Sequence, residues 1–464
     1  MKKHTDLTRG SLGRHILQMT PPMVIGFFAM MVFNLSDAWF VSRLGTTSLA
    51  AIGFTFPPVM FFFSISMGIG IGTASCVSRA IGQGDHDRVA HITTYSLLLT
   101  LLVMGLLTMV GRFLMPSVLR TMGAGQDTFG PALGYMRIWL YFAPIVSLPM
   151  IGNNAIRSTG DTLRPGLIMA SGAVLNIILD PIFIFGWKGF PAMGVPGAAI
   201  ATGISRMLTL VLSLALLRYR YRMLTFLWTG WRKLIEAWRS VLFVAAPAAA
   251  TNLLLPVTNG IIIRLIAGFG KEAVAATTAS QRIETFAYMI PMAMGATLVP
   301  IIGQNWGAGR LDRVRGAWIR TNWYGIIYAS LCLVIALLFA PVVAVWFSQD
   351  PIVVRLITLY LRIILVGAVL LHSMVHTGFA FNAIELPLHA AGLTAIRLFA
   401  FTLPLVWLGS QIAGLIGVYA GMAVSYVLSG AVALLWFSFV LKKKKLPASK
   451  FSDDRKNPEE RSIR

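Results

Sequence analysis

Three polar side chains stand where a lipid-facing sequence would not carry them without a use. They are Asp37 in "MMVFNLSDAWFVSRLG" (residues 30–45), and Asn176 with Asp180 in "VLNIILDPIFIFG" (residues 174–186). A carboxylate at the centre of a membrane helix costs roughly 2.5–3.5 kcal/mol on insertion scales, so it needs a partner, water or a function. Asn176 and Asp180 are spaced i, i+4 and share a helix face, which lets an amide and a carboxylate converge on one small guest. Asp37 completes that site if its helix brings it to equal depth. Desolvated carboxylates held together can take up and release a proton, and the same oxygens with an amide also suit a bare Na⁺. Pro181 has no N–H, which frees the carbonyl of Ile177 beside the acid and favours a kink. Two structural readings compete: Asp37 as a headgroup-level residue ahead of Ser42 and Arg43, and Asp180 as a turn-former at a helix end.

The elements that would position these groups are membrane helices. Of 464 residues 56% are hydrophobic and only 12% charged, with mean hydropathy +0.75, outside the range of soluble globular chains. Apolar runs long enough to cross a hydrocarbon core of about 30 Å recur along the chain. Twelve are expected, near 16–41, 50–76, 91–114, 134–156, 166–186, 196–217, 240–268, 276–302, 317–345, 356–382, 392–410 and 414–441. The divisions around 390–440 are the least distinct. The runs are continuously apolar rather than alternating, which excludes barrel strands. Cys76 and Cys332 imply neither a disulfide framework nor a metal site. The first apolar run is too long for a signal peptide and reads as an uncleaved helix.

Net charge is +22, and its placement points to membrane topology rather than nucleic acid. Most of the 39 Lys and Arg fall on the side that receives both termini, so both are expected in the cytoplasm. The basic segment 217–239 reads as an interfacial helix and "LKKKKLPASK" as an anchor to anionic headgroups, with a disordered tail behind it.

Two loops repeat. "GQGDHDRV" at 82–89 matches "GAGRLDRV" at 307–314, and "LGTTSLAA" at 44–51 lies over "FGKEAVAA" at 269–276, both with an offset of 225. The expected fold is therefore an all-α polytopic membrane protein of two six-helix lobes. Residues 1–216 form the first and 240–441 the second, with 217–239 as linker and 442–464 as tail. Parallel repeats of this kind characterise transporters, which bind cargo at the repeat interface. The offset places Ile262 opposite Asp37, and the stretch aligned with Asp180, "LFAFTLPLVWLG", has no acid either. The carboxylates are not part of the shared scaffold.

The chain resembles the multidrug and toxic compound extrusion (MATE) transporters over about residues 10–440. The likeness is carried by "NLSDAWFVSRLG", the paired loops, "RSTGDTLRP" at 157–165, and "LNIILDPIFIFG" followed by "GVPGAAIATGIS". It is closest to the DinF-like branch, whose cation site lies in the N-terminal lobe. That resemblance implies Asp37, Asn176, Asp180 and Thr202 as the site for H⁺ or Na⁺, Pro22 as a hinge, and export of amphipathic, often cationic compounds in exchange for the ion. Span 7 and span 10 carry no acid, unlike the NorM-like branch. Asn34, Asn153, Asn154, Met67 and Met292 are candidates for a substrate cavity, since a buried amide needs a partner and methionine is adaptable. Met289 and Met294 also fall in spans.

Glu284 is expected to pair with Arg282 or Arg264 or to serve transport, and Glu385 to be structural. His372 and His376 read as packing or cavity-lining residues, without the H-E-x-x-H of a metalloenzyme. The expectation is no enzyme, no cofactor beyond the coupling ion and no nucleic acid, with nothing that demands more than a monomer in a bacterial inner membrane. The nearest rival is a lipid-linked precursor flippase, which would be expected to carry a more basic cavity.

Overall fold

The computed structural model describes residues 6–227 and 229–443, and among these every regular element is helical. The long helices are α1 (Leu12–Ser42), α2 (Thr46–Gly82), α3 (His86–Thr121), α4 (Gln126–Arg157), α5 (Leu163–Phe185) and α6 (Val195–Ala215). After them come α7 (Trp231–Ala267), α8 (Lys271–Gly307), α9 (Leu311–Val345), α10 (Pro351–Ala383), α11 (Pro387–Ala395) and α12 (Leu403–Lys443). Short π-helical stretches, Leu216–Arg220 and Ile396–Thr402, extend α6 and join α11 to α12. Ten of the helical stretches are long and apolar enough to cross a membrane; Pro387–Lys443 counts as one of them, and α4 is not among the ten. Large apolar side chains such as Phe113, Leu338 and Leu435 are exposed on these helices, as a lipid solvent permits.

The Pro387–Lys443 stretch is a folded pair. Ala413 and Gly414 leave the helical region, with Gly414 at φ 56°. A Cβ on Gly409 would overlap the carbonyl oxygen of Gly417, one on Gly421 that of Leu405, and the Thr402 hydroxyl meets Ser425 at 2.5 Å. These partners sit symmetrically about residue 413, as in an antiparallel hairpin. The boundary least distinct in the sequence is thus a turn whose arms need glycine to approach.

The 225-residue offset reappears in the backbone. The starts of α2 and α8, of α3 and α9, and of α4 and α10 all differ by 225, and Gly45 with Gly270, and Gly84 with Gly309, hold matching left-handed turns at φ 103° and 105°, 71° and 73°. A side chain at Gly82 would strike Gln304, and one at Gly307 would strike Arg79. Shifting the first pair by 225 gives the second, a self-complementary contact of the kind a two-fold relation makes.

Two compact units emerge, and they do not divide at the linker. One holds Pro21–Val77 and His86–Leu253; the other holds Leu7–Thr20, Ser78–Asp85 and the chain from Leu254. Helices α1, α2 and α7 therefore contribute to both.

In the first unit, Gly68 and Gly72 of α2 abut the backbone of α7 at Ala245 and Val241, each leaving 2.5 Å for a Cβ, and Phe62 meets Trp139 edge-on at 5.3 Å. Small residues at i, i+4 let membrane helices gain dispersion contact where no hydrophobic driving force exists between them. In the second, Tyr360, Tyr419, Phe381 and Phe437 are fully buried. Its entry segment is tied down: Leu7 N–H donates to Gln304 Oε1 at 3.2 Å, Arg310 donates to the Thr8 carbonyl at 2.6 Å, and Arg313 donates to the carbonyls of Leu7, Arg9 and Gly10.

The segment 217–239 is not one helix. It ends the π-helical stretch, runs without regular structure through most of 221–230, and starts α7 at Trp231. Neighbours hold it in place: Thr225 N–H donates to Thr94 Oγ1 at 3.0 Å, and the Trp238 indole Nε1 donates to the Tyr95 carbonyl at 2.9 Å. Tyr219, Phe226, Leu227 and Trp231 stay exposed, so the aromatic character is real although the helix is not. In the 157–165 loop Asp161 pairs with Arg164 and accepts from the Tyr221 hydroxyl at 2.6 Å. Burial, partly opposed by Arg164, pushes that hydroxyl up and keeps it a donor. The basic tail expected from 442 onward lies, beyond Lys443, outside the described residues.

Candidate functional site

Helices α1 and α5 of the first unit set the depth of the acids. Gly26 lies against Gly166, and Phe33 packs with Ala173, so the two helices run parallel with a constant offset. One turn beyond Phe33, Asp37 comes level with the turn between Asn176 and Asp180. Helix α6 runs antiparallel to α5, with Thr209 against Gly172 and Gly197 against Phe183. Thr202 lies between those contacts and so faces the same turn of α5. No helix breaks at Pro181, which is buried inside α5; the helix runs on to Phe185 and is capped by left-handed Gly186, at φ 79°.

Within this arrangement Asn176 Nδ2 donates to Asp180 Oδ1 at 3.1 Å, and both side chains are fully buried. Asp37 and Asp180 are close enough to act on each other electrostatically, and Tyr135 of α4 is within reach of both. Four buried oxygens are left without a hydrogen-bond partner: Asp37 Oδ1, Asn176 Oδ1, Asp180 Oδ2 and Thr202 Oγ1. A buried acceptor left unmade costs about 1–3 kcal/mol, more when charged, so four at one level favour a group that supplies positive charge or a proton. An all-oxygen set with two carboxylates suits a hard cation such as Na⁺, and a proton satisfies it equally by turning a carboxylate oxygen into a donor. Among the described residues no group of three or more His, Cys, Asp or Glu could hold a metal.

Removing one ligand of four tests the set. Thr202→Ala deletes a hydroxyl without adding bulk, and for a transporter coupled through these oxygens the expected result is transport slowed about fivefold, the equivalent of ~1 kcal/mol. Initial rates in proteoliposomes measure it, and a rate equal to wild type removes Thr202 from the site.

The cavity candidates scatter. Asn153 is buried with Oδ1 unpartnered, and Asn154 is half-buried and donates to the Met150 carbonyl at 2.9 Å. Asn34 is exposed, Met67 half-buried, and Met292 38% exposed. Pro22 lies inside an unbroken α1, its carbonyl facing Gly166. Tyr135 is the residue the sequence did not point to. Its signal was weak, since only its parallel packing on α6, through Gly134 on Pro196 and Phe142 on Gly203, brings it to the acids.

The remaining acids resolve differently. Glu284 does not turn to Arg282 or Arg264: its Oε2 accepts from the Tyr360 hydroxyl at 2.6 Å, with Tyr288, Tyr426 and Arg397 around it. Glu385 pairs with Arg79 at 2.8 Å, a structural use. His376 meets the Pro291 carbonyl at 3.0 Å and His372 stands edge-on to Tyr288, as packing residues do.

Known proteins share this architecture. The family model MatE matches residues 22–182 and again 247–408, two stretches whose starts are 225 apart. A FAD transporter of Shewanella oneidensis is 34% identical, over 93% of this chain and 95% of its own. A probable multidrug resistance protein, YoeA, of Bacillus subtilis is 25% identical over 95% and 96%. Among solved structures, the bent form of the Vibrio cholerae transporter VcmN superposes with TM-score 0.88 at 30% identity, covering 93% of this chain and 97% of that one.

Proposed function

Because this chain belongs to the MatE family of multidrug and toxic compound extrusion transporters, we propose that it is a secondary active exporter of amphipathic organic compounds, driven by inward H⁺ or Na⁺. Members of the family are transporters, not enzymes. The observation that carries the coupling site is the set of four unpartnered oxygens on Asp37, Asn176, Asp180 and Thr202.

The ion enters from outside and neutralises the acid pair, α1 yields near Pro22, and the cargo leaves outward. The unloaded site then resets toward the cytoplasm. Coupling requires only that ion and cargo stabilise different states. The chain crosses the cytoplasmic membrane twelve times as two six-helix halves, with both termini inside. The repeated backbone features and the hairpin about residue 413 support this count, and the Lys/Arg distribution supports the orientation.

Cargo has two readings. Multidrug export, of often cationic compounds, is favoured by relatives named for it. Transport of FAD is favoured by the 34% identical relative, which bears that name. Purified protein in liposomes, loaded with ethidium or with FAD and given a pH gradient alone or a Na⁺ gradient alone, tests all of this. Movement of ethidium under one gradient is the expected result; movement of FAD only moves the second reading to the front. No movement of either under either gradient overturns coupled export.

A further inference from the structure

Two half-buried arginines inside the first unit each keep one buried nitrogen, Nε, without a hydrogen-bond partner. Arg206 of α6 lies flat on Phe33 of α1 with its carbon 4.4 Å from the ring centroid, yet its Nε is buried and unpartnered. Arg157, at the end of α4, donates through Nη2 to the Met169 sulfur at 3.1 Å, and its Nε is likewise buried and unpartnered. A thioether is a weak acceptor and a ring takes only the face of a guanidinium, so the hydrogen-bonding edges of both groups are unspent.

Their positions are related. Arg157 approaches α1 at Gly26 and Arg206 at Phe33. Those positions are seven residues apart on one stripe of the helix, about 10 Å, which two long side chains can close on a group held between them. The wall there is made of small residues: Ala29 and Ala173 pack with Phe33, with Ala170 beside them. Asn153 on α4, next to Gly152 where that helix touches Ser213, adds a further buried unpartnered oxygen.

We propose that Arg157 and Arg206 form an anion-accepting subsite that holds the phosphate groups of an amphipathic, aromatic cargo. Guanidinium forks match phosphate oxygens two at a time, a recognition that a cargo without phosphate forgoes. The subsite rests on the reading of the chain as an exporter and deepens its second cargo reading by assigning the residues that hold the phosphates. It lies on α1, α4 and α6 and begins one helical turn from the acid pair, since Phe33 and Arg206 are each four residues from Asp37 and Thr202.

Riboflavin, FMN and FAD carry the same ring with none, one and two phosphates, and their binding to detergent-purified protein is read by quenching of flavin fluorescence. Wild type is expected to bind FAD roughly tenfold or more tightly than riboflavin, with FMN between. Arg206→Gln and Arg157→Gln each shrink that margin several-fold while riboflavin binding holds. In wild type, millimolar pyrophosphate displaces FAD and leaves riboflavin bound, a test that needs no variant. Equal affinity for riboflavin and FAD, or a margin untouched by both variants, or no displacement by pyrophosphate, overturns the subsite. Gradient-driven ethidium export with no phosphate preference sinks only this inference. A clear preference with no gradient-driven movement of any compound sinks the exporter and leaves the subsite standing.

Discussion

Asp37→Asn and Asp180→Asn each abolish gradient-driven export while leaving the protein folded. The amide keeps the shape of the carboxylate and removes its charge, so the packing of α1 on α5 through Gly26–Gly166 and Phe33–Ala173 survives. What disappears is half of the negative charge carried by the set of four unpartnered oxygens. Removing one partner of a buried charged interaction costs on the order of 3–5 kcal/mol, which lowers ion occupancy by at least about a hundredfold. Thermal unfolding in detergent should be unchanged or slightly raised, because a desolvated charge has been taken out. Transport rates in proteoliposomes and melting curves on the same preparations measure both. An Asp37→Asn protein that exports at wild-type rate, or one that no longer folds, would return Asp37 to the structural role of a buried or headgroup-level acid.

Gly417→Val is expected to have the largest effect on stability. Its first new carbon would overlap the carbonyl oxygen of Gly409, and Gly409 and Leu405 already press against Gly417 and Gly421. Both atoms that must give way are backbone, so the arms have to part along their length. Overpacking ordinarily costs about 1–3 kcal/mol, and here it falls at the top of that range or beyond. The expected outcome is loss of monodisperse protein or a much lowered melting temperature. Gly105→Ala is the control: nothing lies within 4 Å of its added carbon, and alanine is the better helix former. If both variants melt together, the hairpin is not as tight as its geometry indicates.

Much of the fold was legible because its signals are local. Hydropathy marks a span within its own twenty residues, and the loops "GQGDHDRV" and "GAGRLDRV" announce a repeat that the matched turns at Gly84 and Gly309 express in backbone angles. The acid pair was legible because a carboxylate is conspicuous in an oily run. Side-chain direction around a helix was harder to read. Asn34 looks like a neighbour of Asp37, but the stripe that meets α5 runs through Gly26, Phe33 and Asp37, and Asn34 turns off it and is exposed. Tyr135 and the tyrosines around Glu284 became neighbours through packing between helices far apart in sequence, which no local pattern encodes. The linker failed for the opposite reason: its aromatic and basic composition suits an interface whether or not the chain is helical there.

The hydrogen bonds at Leu7, Thr8, Arg9 and Gly10 have a mechanical consequence for α1. They make its first end a built-in support, so the opening turns of the helix cannot slide or rotate without breaking several bonds at once. A beam fixed at one end bends where its section is weakest. Pro21 and Pro22, adjacent inside the helix, leave the carbonyls of Leu17 and Gln18 without their usual donors. The thin section therefore falls in the turn at residues 17–22, where two backbone hydrogen bonds are missing.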